Sequence, residues 1–249
     1  MVLRPARIFG VMIFLPTIMS AIFGWLAAPS FLHPIRRPLS ADLIREADAS
    51  IARVGAHRQD FSVRASDGSN LRGWKVRAAI ANGDWVLVFH GVADNRVGVI
   101  GQSELLLRNG YSVVMMDARA HGASEGAIAT YGWLERDDTR TIVDALVLSE
   151  HPRHLLALGE SMGAGIALQS AADDERIEAV VAESSFADLR EASYDYAGLQ
   201  KYPLLGKTLF APGAWAMLYR GEKLAGKLVG LEDRGPQRTA IAGRWLQSR

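Results

Sequence analysis

Four short apolar runs constrain this chain more than any other feature. They are WVLVFHG (85–91), YSVVMMDAR (111–119), LLALGE (155–160) and IEAVVAES (177–184). Each is continuous rather than alternating, and each is bounded by turn-forming residues. Such runs read as strands buried on both faces. Helical patterns separate them at 97–110, 134–150 and 162–172, the second with acids near its start. An earlier alternating stretch, 60–78, folds back on itself through Ser66-Asp67-Gly68-Ser69-Asn70 and reads as a hairpin. The fold class is α/β: a doubly wound, mostly parallel sheet with helices on both faces. Ligands bind such sheets beyond the carboxyl ends of the strands. His90-Gly91-Val92, Asp117, Glu160-Ser161-Met162 and Glu183-Ser184 are therefore expected along one rim.

The N-terminus is different in kind. Residues 8–32 run for 25 positions without a charge, with Arg4 and Arg7 before them and Arg36 and Arg37 after. As a helix this run is long enough for a hydrocarbon core of roughly 30 Å. It is long for a signal-peptide core, so an uncleaved single-pass anchor is favoured over a signal segment with LAAPS as cleavage site. Basic residues on both flanks leave the orientation open. The organisation read from the sequence is an anchor or signal segment (1–37), a linker helix (38–57), the α/β domain (58–227) and an atypical tail (228–249). Within the domain, 198–227 is apolar, aromatic and rich in Pro and Gly. It suits a lid, a crossover helix pair or a surface touching a membrane, and nothing in its residues decides among them.

Composition removes several functions. The net charge is +1, so no global field points to nucleic acid. There is no cysteine, which excludes disulfides, thiolate metal sites and a cysteine nucleophile. His151 and His154 form HPRH but start a strand, at the edge opposite the rim, so no metal site is expected there. No cofactor is implied.

One strand end carries a motif with a mechanism. GESMG, from Gly159 to Gly163, fits G-x-S-x-G between a buried strand and a helix of small residues. That placement exposes the Ser161 hydroxyl on a strained turn, and the flanking glycines avoid collisions there. The same stretch lacks the G-x-G-x-x-G order of a dinucleotide site. His90 is a tempting base but reads better as a hydrogen-bonded structural histidine. Asp117, Arg119 and His121 read as loop braces, with Asp117 able to pair with Arg119 and Gly122 allowing the tight turn. Glu183 is the first candidate for an acid near Ser161 and Asp188 the second, while each reads more readily as a helix-capping or hydrogen-bonded carboxylate.

In order and spacing, VLVFHGVADNR, YSVVMMDARAHGASEG, LGESMGAG and VVAESSF resemble the α/β-hydrolase superfamily. Within it, they are similar to the membrane-anchored bacterial hydrolases with serine aminopeptidase (S33-like) or generic hydrolase domains. The similarity covers about residues 57–225. It implies Ser161 as nucleophile, the backbone N–H groups of Val92 and Met162 as oxyanion donors, and a D-x-R-G-H-G-type loop at 117–122. His90, Gly91, Asp117, Arg119, His121, Gly159 and Gly163 would support the site. Ala120 stands where that loop usually has glycine. The implied partner is a small-molecule ester or amide substrate.

The likeness fades after about Lys227. Family members continue to an aspartate and then a histidine that complete the Ser–acid–His order. Here all six histidines precede Ser161, and 228–249 shows no apolar strand. The expectation is a frameshift or a natural truncation, with C-terminal strands missing and a sheet edge left exposed. A serine without its base is a poor nucleophile, and losing the histidine of a triad costs on the order of a million-fold in turnover. The readings that follow are an impaired serine hydrolase, a non-catalytic anchored binding module, or a non-functional fragment.

Overall fold

A single six-stranded sheet organises the unit formed by residues 33–185. The structure is a computed structural model that describes residues 5–187, 189, 192 and 211–228. The tail at 229–249, Asp188 and the 198–210 part of the apolar stretch lie outside the described residues.

The strands are β1 (His57–Arg64), β2 (Asn70–Arg77), β3 (Trp85–Phe89), β4 (Ser112–Met116), β5 (Leu155–Glu160) and β6 (Ile177–Glu183). Their order is β1-β2-β4-β3-β5-β6. The first two form the expected antiparallel hairpin, and β2 meets β4 antiparallel. The rest are parallel, so every connection among them crosses over through a helix. The helices of this unit are α2 (Ala41–Arg53), α3 (Ile100–Arg108), α4 (Glu135–Glu150) and α5 (Met162–Asp173).

The continuous apolar runs follow from a core on each side of the sheet. In β3, Trp85, Leu87 and Phe89 face the layer of α4 and α5, where they meet Ile142, Val143, Leu146 and Ile166. Val86 and Val88 face the opposite layer, with Ala47 and Ile51 of α2 and Leu107 of α3. β4 divides in the same way, Val114 and Met116 to one face and Val113 and Met115 to the other. β6 departs from this pattern. Among the described residues it ends the sheet, and Val181 is 61% exposed.

The second unit comprises residues 1–32 with 186–249. Its described elements include α1 (Pro5–Leu32) and α6 (Ala211–Leu228). The span Phe14–Leu32 of α1 has a mean hydropathy of 1.5 and is long and apolar enough to cross a membrane.

Candidate active site

Ser161 occupies the single residue between the end of β5 and the start of α5. Its backbone sits at φ 53° and ψ −114°, a region that non-glycine residues avoid and that costs of order 1–3 kcal/mol. Two glycines make the turn possible. A Cβ on Gly159 would overlap the Gly163 carbonyl and come within 2.6 Å of Ala164 N. A Cβ on Gly163 would overlap the Phe89 carbonyl of the neighbouring strand. The glycines of GESMG are thus required by close backbone packing on both sides of the serine. The turn is pinned to the next strand too: Ser161 N donates to the Glu183 carbonyl at 2.9 Å.

The serine faces the loop that leaves β3. A Cβ on Gly91 would lie 3.8 Å from Ser161 Cβ, so the backbone at Gly91 runs beside the serine side chain. Met162 opens α5, and its N–H is one of the donors that a helix start leaves without an intrahelical partner. The positive end of the α5 dipole therefore points at the same place.

His90 ties two strand ends together. Ala118 N donates to Nε2 at 3.0 Å, and Nδ1 lies 2.8 Å from the Gly91 carbonyl, so Nδ1 carries the proton. The ring is 1% exposed. Burial pushes its pKa down to about 4, assisted by the neighbouring His121 ring. His90 is neutral at pH 7 with both nitrogens committed to backbone groups. His121 packs edge-on to it at 5.2 Å and holds the Arg119 carbonyl through Nδ1 at 2.9 Å. Burial lowers its pKa as well.

The acidic and basic groups pair differently from the sequence reading. Asp117 pairs with Arg96, not with Arg119. Its carboxylate accepts from Arg96 N at 2.7 Å, Arg96 Nη2 at 2.6 Å and Ala123 N at 2.7 Å. Arg119 instead grips Asp138 of α4 with two bonds of 2.7 Å and reaches Asp67 at 3.1 Å. The reason is topological. β3 and β4 are parallel neighbours, so the loops after both strands rise at the same end. Arg96 and Asp117 meet there, while Arg119 points back over the layer of α4. Burial lifts the Asp138 carboxyl to about 6, with the Arg119 fork pulling against it. Ala120 sits at φ 59° and Gly122 at φ 46°. Both occupy the left-handed region, which explains why a glycine at the first would be easier.

The linker after α1 reaches this end of the sheet. Arg36 donates to the carbonyls of Ser124 at 2.5 Å and Gly126 at 2.9 Å. Arg37 pairs with Asp94 at 2.8 Å, and buried Asn95 donates to the Arg37 carbonyl at 3.2 Å. Sequence reasoning missed Arg96, Asn95, Asp138 and this clamp. The quoted string HGVADNR contains two of them, but their partners are far away in sequence. Glu183 is exposed, and its carboxyl meets only Gln102 at 3.4 Å among the described residues. No histidine hydrogen-bonds Ser161 among the described residues, and no cluster of three or more His, Asp or Glu suited to a metal is present there.

A mixed sheet with two covering layers, and a strained serine between strand and helix at its carboxyl edge, define the α/β-hydrolase class. The chain belongs to the serine aminopeptidase S33 family, whose pattern matches residues 82–217, more than half of its length. It is 33% identical over 109 residues to the uncharacterized protein YqkD of Bacillus subtilis (strain 168), a match covering 43% of this chain and 35% of that relative. The aligned part is thus about a third of that relative's length. Among solved structures, the Pyrococcus furiosus esterase Pf2001 superposes with a TM-score of 0.58 and 25% identity in one crystal form, covering 68% of this chain and 66% of that one. In a second form the TM-score is 0.56 at 23% identity, covering 74% and 69%.

Proposed function

We propose that this chain is a serine hydrolase acting on ester or small amide bonds of a small molecule through Ser161. α1 would hold it at a membrane. The observation that carries the reading is the Ser161 backbone, strained at φ 53° and flanked by glycines that have no room for a side chain. In this reading Ser161 Oγ attacks the acyl carbon. The carbonyl oxygen becomes an oxyanion and accepts the N–H groups of Val92 and Met162. The family favours an amide substrate and the superposed esterase an ester.

Transfer of the serine proton needs a base. Among the described residues no histidine hydrogen-bonds Ser161, and His90 has both nitrogens engaged. The described residues therefore supply an activated geometry without a proton acceptor, and attack by these residues alone is slow. The second reading is a binding module that holds an acyl ligand without turnover.

A fluorophosphonate probe separates the two. The hydrolase reading expects labelling at Ser161, abolished by Ser161→Ala in a variant with an unchanged melting temperature. A folded protein that takes no label, yet binds an acyl ligand equally well with and without the Ser161 hydroxyl, sinks it.

A further inference from the structure

Within their own compact unit, α1 and α6 touch backbone to backbone. Ser20, Gly24 and Ala28 recur every fourth residue on α1, and Gly24 and Ala28 are buried. On α6, Gly213 is buried. A Cβ on Gly24 would overlap the Gly213 carbonyl oxygen, and a Cβ on Gly213 would come within 2.5 Å of Ser20 Oγ and 2.7 Å of Ser20 O. Small residues at four-residue spacing let helices approach this closely in lipid, where apolar side chains gain nothing by leaving the solvent.

The polar groups at this contact satisfy one another. Gly213 N–H lies in the first turn of α6, where donors have no intrahelical partner. It donates to Ser20 Oγ of α1 at 3.1 Å. The Trp25 carbonyl would normally accept from residue 29, but that residue is a proline inside the helix and has no N–H. Arg220 of α6 fills the place, donating to Trp25 O at 2.5 Å with its guanidinium 5.1 Å from the Trp25 ring centre. Each helix thus supplies a group that the other's backbone lacks. This matters most where water is excluded.

The outward surface is apolar even with the two helices paired. Phe23 is 74% and Leu26 67% exposed on the stretch of α1 that α6 contacts. On α6 itself Trp215 is 53% and Tyr219 55% exposed. A helix pair made for water buries such side chains between its members; this one turns them out. From Ala211 to Tyr219 there is no charge, and Arg220, Glu222 and Lys223 follow. Trp and Tyr beside a basic residue are the usual signature of the membrane interface.

We infer that α6 enters the bilayer beside α1. Its apolar first half lies among the acyl chains, and Arg220, Glu222 and Lys223 lie at the interface. From Arg220 to Gly213 is about 10 Å along a helix, similar to the depth that interfacial helices reach. The chain then holds its membrane by two helices, the second belonging to the stretch that the sequence left open between lid and membrane surface. The inference rests on the reading of α1 as an anchor.

The absence of cysteine makes the test clean. Single spin labels go on Phe23→Cys, Trp215→Cys and Glu222→Cys in the full chain, reconstituted in phosphatidylcholine vesicles containing phosphatidylglycerol. Relaxation by oxygen and by a water-soluble nickel chelate reads depth. The expected result is oxygen-dominated relaxation at 23 and 215 and nickel-dominated relaxation at 222. Adding Gly24→Ile should shift position 215 towards nickel and leave 23 unchanged. A label at 215 as nickel-accessible as that at 222, with 23 still in lipid, overturns the α6 inference alone. A label at 23 in water overturns the anchor as well. Insertion at 215 that survives Gly24→Ile overturns the pairing.

Discussion

Asp117→Asn tests the buried pairing that holds the two rim loops together. Asp117 is 1% and Arg96 5% exposed. Three donors converge on the carboxylate: one on Oδ1 from Arg96 N, and two on Oδ2 from Arg96 Nη2 and Ala123 N. An asparagine keeps the shape but has one acceptor oxygen. Its best orientation keeps that oxygen at the Oδ2 site and turns the amide N–H towards Arg96 N–H. One donor is then left facing another, and the Arg96 guanidinium loses its counter-charge in the interior. Breaking a buried pair from one side costs about 3–5 kcal/mol, a large part of a typical total stability. For a domain of this size each kcal/mol moves the melting temperature by roughly 2–4 °C, so the expected loss is roughly 6–20 °C. The assay is thermal unfolding of the full chain in detergent, followed by far-ultraviolet circular dichroism. Asp60→Asn is the control: Asp60 is exposed and pairs with Arg58 on the surface, where such pairs contribute little. Combining Asp117→Asn with Arg96→Met should recover part of the loss, because it removes the stranded cation. If Asp117→Asn melts within about 2 °C of the parent, the three hydrogen bonds do not carry the energy assigned to them.

Two further predictions concern the same rim. His90 has a folded pKa depressed to about 4 by burial, against about 6.5 in an unfolded chain. Its contribution is fully present above pH 6.5 and is lost as pH falls towards 4, amounting to about 3 kcal/mol. His121 shifts in the same direction. Asp138, lifted to about 6, acts in the opposite sense over this window, so the difference between variants carries the test. Urea midpoints at pH 7.5, 5.5 and 4 should lose more with falling pH in the parent than in His90→Gln, and parallel curves contradict the assignment. Gly159→Ala should cost about 3 kcal/mol or more, since its Cβ meets backbone atoms that cannot step aside. Gly91→Ala, with its Cβ 3.8 Å from Ser161 Cβ, should fold nearly as well as the parent; melting curves that rank the two the other way refute the packing argument.

The parts of this fold legible in the sequence are those whose cause is local. β3 and β4 read correctly because burial on both faces leaves no polar position in WVLVF or SVVMM. The turn at Ser161 read correctly because its glycines sit two residues on either side of the serine and its strain is a backbone property. Side-chain partnership is not local in this way. Asp117 had two arginine candidates, one two residues away and one 21 residues away, and the structure takes the distant one. Nearness in sequence favours Arg119. The parallel register of Phe89 with Met116 decides against it, by lifting both loops from the same sheet edge. The mutual satisfaction of α1 and α6 was hidden for the same reason, since Pro29 leaves its open acceptor on one helix and Arg220 waits on another, 195 residues from Trp25. A proline inside an apolar helix is nonetheless a readable signal. It announces an unfilled carbonyl four residues earlier, and the search then narrows to a donor long enough to reach it.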